Sequence, residues 1–227
     1  MTGTEAKKII LRAIAPSLSL TGQMLDPTLE LHNATGGTVS FNDNWGEAAN
    51  SAEIAASGVA PTNPNESAIL TNLAPGSYTA VLSGANATTG TAVVEVYDLD
   101  KAASSKLANI STRASVRTGD NVLIGGLIIV GESAANVIVR AIGPSLPIAG
   151  VIADPTLELR DASGVLLATN DNWRSSQEAA IIESGVAPAR DAEAAIVTSL
   201  APGSYTAVVQ GANGATGVAV VEVYQLN

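Results

Sequence analysis

Two short runs concentrate the oxygen-donor chemistry of this chain. Asn42-Asp43-Asn44-Trp45 recurs as Asn170-Asp171-Asn172-Trp173. Side-chain oxygens gathered on a turn suit calcium, which takes about six to eight oxygen ligands from loops. Glu66 and Glu193, or Asp191, would add donors from the loop that follows. Three consecutive residues cannot all face one ion, however, and Asx side chains also close turns on their own backbone. The run therefore reads either as a cation site or as an Asx turn. Trp45 and Trp173 pose a similar choice: an exposed indole stacks on a sugar ring, whereas a buried one plugs the end of a core.

Other chemistry is sparse. Nucleophilic catalysis needs a base beside a nucleophile. The one histidine, His32, lies in an alternating stretch on the polar side, and Arg160 stands at the matching place in the second half. That exchange fits a solvated strand residue. Asp26 with Glu30, and Asp154 with Glu158, are the nearest carboxylate pairs for glycoside chemistry. Asp before Pro is more simply a turn starter. No Gly-x-Ser-x-Gly elbow and no phosphate-cradling loop with Lys occurs. The chain reads as a non-enzyme. Arg12 and Arg140 precede a Pro-Ser turn, where a guanidinium can tie loops together through carboxylates or carbonyls. Asp26 and Asp154 are the expected partners, and both arginines are expected to be largely buried.

These residues come in pairs because the chain says nearly everything twice. Leu11-Arg12-Ala13-Ile14-Ala15-Pro16-Ser17-Leu18 returns as Val139-Arg140-Ala141-Ile142-Gly143-Pro144-Ser145-Leu146, and the nine residues from Leu73 to Val81 return unchanged from Leu200 to Val208. The offset is 128 at Arg12/Arg140 and 127 at Tyr78/Tyr205, so one residue is missing between Trp173 and Gly185. Such a tandem favours a modular binding or structural protein.

Composition narrows the field further. The 227 residues are 46% apolar, 14% charged and 3% aromatic, with a net charge of −10. Cores must be built from Val, Ile, Leu and Ala. Nucleic acid is excluded as a partner, since phosphate contacts need clustered Lys and Arg. Cysteine is absent, which removes disulfides and thiolate metal sites. The longest apolar run, from Val122 to Val130, is too short to span a bilayer as a helix. No signal peptide is visible at Met1, and the chain reads as a piece that starts inside a repeat.

Strand signals position the motifs. The stretches 9–11, 28–31, 39–41, 77–83 and 92–99, with 137–139, 165–167, 204–210 and 219–226 in the second half, are β-branched or alternate apolar with polar. One or two helical turns are predicted over 48–57 and 175–184. Short strands joined by Gly, Pro and Asn turns imply an all-β protein of two tandem antiparallel β-sandwich domains, jelly-roll or Greek-key in kind. Tyr78 and Tyr205, just after Pro-Gly, should act as tyrosine corners bonding back to nearby backbone. The expected domains are 1–100 and 107–227, joined by a linker over 101–106.

Residues 107–112 and 121–130 look like a hairpin around Thr118-Gly119-Asp120, with no counterpart in the first half. Either this hairpin completes the second sandwich and leaves an open edge on the first, or it is an insertion between two complete copies.

Leu-Ala-Asn-Ile-Ser-Thr-Arg (107–113), Thr-Gly-Asp-Asn-Val-Leu-Ile-Gly-Gly (118–126), Arg-Ala-Ile-Gly-Pro-Ser-Leu (140–146) and Asn-Asp-Asn-Trp (170–173) together resemble repeats of very large extracellular bacterial proteins. The progression from Leu-Glu-Leu through an Asn-Asp turn to Pro-Gly-Ser-Tyr-Thr-Ala-Val and Val-Glu-Val-Tyr also resembles the bacterial pre-peptidase C-terminal domain. That resemblance implies a jelly-roll-like sandwich on a secreted protein, linked to substrate or matrix attachment and in some cases to calcium. The expected function is a non-catalytic structural or self-associating module outside the cell or on its surface. Its partners would be itself or neighbouring repeats through strand edges. The alternative is a carbohydrate-binding or calcium-dependent adhesion module, with polysaccharide as partner. No cofactor is expected apart from calcium in that alternative, and no membrane insertion.

Overall fold

A computed structural model describes residues 1–226. Two compact units divide after Leu107. The first contains β1 (Lys7–Ile14), β2 (Pro27–Asn33), β3 (Thr38–Asn42), α1 (Ser51–Ala56), β4 (Ser67–Leu73), β5 (Tyr78–Gly84) and β6 (Val93–Asp98). The second contains β7 (Asn109–Val116), β8 (Leu123–Ile129), β9 (Ala135–Ile142), β10 (Pro155–Asp161), β11 (Leu166–Asn170), α2 (Glu178–Glu183), β12 (Ala194–Leu200), β13 (Gly203–Gly211) and β14 (Gly217–Gln225). Every paired strand is antiparallel to its neighbour.

The second unit has sheets ordered β12-β9-β14-β7 and β11-β10-β13-β8. Its eight strands pass between the sheets in the order of a jelly roll, the expected class, with β10 and β11 consecutive in one sheet. The first unit repeats this order without the first two strands, as β4-β1-β6 and β3-β2-β5.

Alternation explains both interiors. Val137, Val139 and Ala141 of β9 point inward against Leu157 and Leu159 of β10 and Val221 and Val223 of β14. Ile138 points outward, where Trp173 and Ile181 of the crossover cover it. A strand buried on both faces needs a continuous apolar run, which Val137-Ile138-Val139 supplies. The first unit does the same with Ile9, Leu11 and Ala13 inward and Ile10 outward beneath Ile54. Each predicted helical region holds a short α-helix, preceded by a 3-10 turn that begins at the Trp.

Three details differ from expectation. The stretch 107–130 is not a hydrogen-bonded hairpin. β7 pairs with β14, β8 pairs with β13, and the turn between them arches from one sheet to the other. Four strands per sheet cannot be completed by two strands that pair only with each other, so the arch is the solution. The stretch 101–106, expected as a linker, is laced to the first unit: Thr2 and Lys106 exchange backbone hydrogen bonds, and Glu5 accepts from the Ser104 hydroxyl. Strands β4 and β12 carry no strong sequence signal, since Ser-Ala-Ile-Leu-Thr-Asn-Leu and Ala-Ala-Ile-Val-Thr-Ser-Leu neither alternate nor favour β conformation at their starts.

The arch supplies interior side chains as well as hydrogen bonds. Val116 and Leu123 are fully inside the second core, with Leu127 and Ile129 packed against it. In a Trp45→Phe background, Trp173 fluorescence reports the second unit alone. Leu123→Ala is expected to lower its unfolding free energy by about 3 kcal/mol in a urea titration; an unchanged midpoint would mean that β8 does not hold the sandwich closed.

Candidate functional site

Arg12 leaves β1 on the outer face of its sheet, beneath the crossover. Its Nε and Nη2 both donate to Glu95 Oε2 on the adjacent β6, and its Nη1 donates to the Val59 carbonyl at 2.6 Å. The guanidinium lies 5.0 Å from the centre of the Tyr97 ring. Arg140 repeats the set with Glu222, the Val186 carbonyl and Tyr224. The Arg side chains are only 16% and 14% exposed. Their partners are therefore Glu95 and Glu222, not Asp26 and Asp154 as expected. The register decides it: Arg12 lies directly opposite Glu95, and Arg140 opposite Glu222, across a strand pair. Burial and the neighbouring glutamate raise the Tyr97 and Tyr224 hydroxyls above their ordinary value, burial most strongly. The cluster is a clamp between sheet and crossover.

The Pro-Ser turns beside these arginines are held by a residue whose role was misread from sequence. Glu66 is 0% exposed. Its Oε1 accepts from the Ala15 and Ser17 amides at 3.1 and 3.0 Å and from the Ser17 hydroxyl, while Oε2 accepts from the Asn63 amide. Glu193 binds Gly143, Ser145 and Arg190 in the same way. Neither glutamate is free to ligate a cation, and Asp191 is paired with Arg174. The available signal was positional: a lone Glu keeps its place before β4 and β12 although the loops around it differ.

The Asn-Asp-Asn-Trp runs divide by residue. Asn42 and Asn170 are buried, and their Oδ1 atoms accept the amides of Ala68 and Ala195 at 2.9 and 3.0 Å. Their Nδ2 groups close the turn on the Asn44 and Asn172 carbonyls. These two are turn ties, which removes them from the expected metal set. Trp173 is 2% exposed, its indole N–H donates to the Arg190 carbonyl, and Arg174 covers its ring at 4.0 Å. No face remains there for sugar, contrary to the ligand-binding expectation. Trp45 makes the matching bond to the Asn63 carbonyl and is half-buried, with Gly46 in place of the arginine lid.

What remains is a set of unpaired oxygens. In the first unit, Asp26 Oδ1, Asp43 Oδ1 and Asn44 Oδ1 are all shielded from water and have no hydrogen-bond partner. Burial pushes the Asp43 carboxyl up, and the charges of Asp26 and then Glu47 push it further. Among the described residues of the second unit, Asp154 Oδ1 alone is orphaned. Its carboxyl is raised by burial and then by Asp171, which is exposed and accepts from Asn172. Among the described residues no three His, Cys, Asp or Glu side chains converge as metal ligands. The first-unit set is two carboxylates and an amide, all oxygen, which is the donor type of calcium.

The remaining expected residues are structural. Tyr78 and Tyr205 hydroxyls donate to the Ala74 and Ala201 carbonyls, four residues upstream, at 3.0 and 2.9 Å. His32 bridges Glu30 and the Gly36 carbonyl, as Arg160 bridges Glu158 and the Gly164 carbonyl. A shallow depression of about 550 Å³ beside α2 holds one ionisable side chain, Glu183.

No family model matches the chain, and no curated protein sequence does. Among solved structures it is similar to the pre-peptidase C-terminal domain of a Bacillus anthracis collagenase, with 16% identity, 51% of this chain and 89% of that one covered, and a TM-score of 0.34. It is also similar to a chain of Sulfolobus Turreted Icosahedral Virus, with 11% identity, coverage of 98% and 83%, and a TM-score of 0.29. A third likeness, to VP2 of infectious bursal disease virus, has 11% identity, coverage of 99% and 57%, and a TM-score of 0.25. The chain thus spans little more than half of that VP2 chain. The strand order of this protein, not these superpositions, defines its fold. No helix among the described residues is long and apolar enough to cross a membrane.

The raised Asp43 carboxyl makes a pH prediction. Asp43 titrates above the ordinary 3.8 in the folded chain. The native state then takes up its proton before the unfolded chain does, so ionised Asp43 weakens the fold at neutral pH and acidification toward 3.8 relieves it. In chelator, Asp43→Asn is expected to raise the thermal midpoint by a few degrees at neutral pH and to lose that advantage as pH falls. A lower midpoint for the variant in chelator at neutral pH would contradict a cost of shielding the ionised Asp43 carboxyl.

Proposed function

We propose that this chain is a non-catalytic structural module of a bacterial surface or secreted protein, assembling through an open sheet edge. One comparison carries the reading. Both units share a strand order, yet the sheets of the first have three strands where those of the second have four. The outer edges of β5 and β6 have no strand partner among the described residues. Unpaired edges are templates for pairing with another chain, and proteins usually blunt them with charge or proline. β5, Tyr-Thr-Ala-Val-Leu-Ser-Gly, has neither. Tandem modules of this kind extend a distant domain or add avidity.

Sedimentation velocity tests the reading. The chain should associate as its concentration rises, and Val81→Lys, which places a charge on the open edge, should shift it toward monomer. A strict monomer at millimolar concentration would overturn self-association.

A second reading is favoured by the orphaned oxygens: a calcium-dependent adhesion module. A cation at Asp26, Asp43 and Asn44 would pair three acceptors that nothing else satisfies and would cancel the carboxylate repulsion. Calcium should then raise the thermal midpoint of the unmodified chain but not that of Asp43→Asn. An unmoved midpoint for the unmodified chain would dismiss this reading.

A further inference from the structure

We propose that the open side of the first unit is a receptor for an arch-shaped strand pair of the β7–β8 type, entering both sheets at once. The inference rests on the edge-assembly reading above and names the partner. The second unit displays the occupant of the corresponding place. There β7 lies on β14 from Gly217↔Val116 to Tyr224↔Asn109, and β8 lies on β13 from Gly203↔Ile129 to Val209↔Leu123. By the 127-residue offset, the receiving strands in the first unit are β6, with Val93 to Tyr97 in place of Val220 to Tyr224, and β5, with Gly76 to Leu82 in place of Gly203 to Val209.

Burial shows what the arch covers. Val220 is 7% exposed, and its counterpart Val93 is 40% exposed. Ala207, Val209 and Val221 are buried, whereas Ala80, Leu82 and Val94 are only half-buried. Val116 and Leu123 fill that space in the second unit.

The first rung of the ladder already exists. Met1 stands 128 residues before Ile129. Its amino group donates to the Gly76 carbonyl at 2.7 Å and its carbonyl accepts the Gly76 amide at 3.1 Å. Ile129 is the β8 residue that lies opposite Gly203 in the same way. The Met1 side chain packs against the first core, as Ile129 packs against the second. A strand running back from this position along β5 would therefore be in register.

The interior also sets a size requirement. A Cβ on Gly125 would come within 2.9 Å of Val221 Cγ1. Val94 holds that place in the first unit, so the arriving strand must present glycine or a comparably small residue there. The occupant is thus a polypeptide arch with apolar residues at the Val116 and Leu123 positions and glycine at the Gly125 position, such as another repeat of this kind carries.

The test places a second copy of residues 108–128 directly before Met1, so that the copied arch runs into the existing rung. Amide exchange over Tyr78–Gly84 and Val93–Asp98 should slow by about a hundredfold, because exposed edge amides become ladder bonds. Gly125→Val in the added copy should abolish the slowing. A synthetic peptide of residues 108–131, added at saturation to the unmodified chain, should slow exchange at the same two strands. Unchanged exchange in both fusion and peptide experiments overturns the proposal. The self-association reading fails separately: slowed exchange in the fusion of a chain that is strictly monomeric leaves the arch receptor standing, whereas an associating chain with unchanged exchange leaves only the reading.

Discussion

An aliphatic interior between two sheets has to be closed along its sides, and this requirement governs the whole molecule. With aromatics at 3% of residues, few large side chains can lid a gap. Closure must come from strands, and each strand that closes an edge also delivers side chains to the interior. Burial of apolar surface contributes about 25 cal/mol per Å², so a missing strand costs twice, in ladder bonds and in covered carbon. In the second unit β7 and β8 meet both needs, one per sheet, and the interior residues of β13 and β14 are shielded. In the first unit the same sequence segments form the same strands, and their inner faces stay half open.

Around that interior, charge is used for positioning. Each Arg–Glu–Tyr cluster pins the crossover to the outer face of its sheet through a backbone carbonyl. Each buried glutamate gathers two amides and a hydroxyl from the Pro-Ser turn onto one oxygen. Charge-assisted bonds of this kind are about twice as strong as neutral ones, and removing one partner strands the others without water. The unpaired acidic oxygens are the exception. Asp26, Asp43 and Asn44 present acceptors without donors, and the second unit relaxes this by exposing Asp171 and bonding it to Asn172. The duplicated chain is therefore not duplicated in its electrostatics.

The fold class was legible because alternation and Pro-Gly or Asn turns act locally. Strands such as Thr28–Leu31 and Ser204–Gln210 announce themselves within a few residues. β4 and β12 did not, because their Ala- and Ser-rich starts become strands only by lying between a sheet partner and the crossover. The arch was misread as a hairpin for a related reason. Sequence shows two apolar runs around Thr-Gly-Asp, but which sheet each joins depends on edges more than 70 residues away. The arginine partner failed likewise, since Glu95 and Glu222 lie opposite only once register is fixed. Of the Asn-Asp-Asn-Trp run, the composition pointed to oxygen donors. Only the hydrogen-bond pattern separates Asn42, which ties the turn, from Asp43 and Asn44, whose Oδ1 atoms are left without partners.

Native-state amide exchange on the unmodified, dilute chain measures the asymmetry most directly. Residues 93–98 of β6 and 220–225 of β14 are equivalent strands that differ chiefly in whether an outer neighbour is present. The account predicts that exchange along β6 is faster by about a hundredfold or more, with alternate amides most affected. Equal protection of the two strands in a monomer would contradict it, because the first interior would then be closed without an arch.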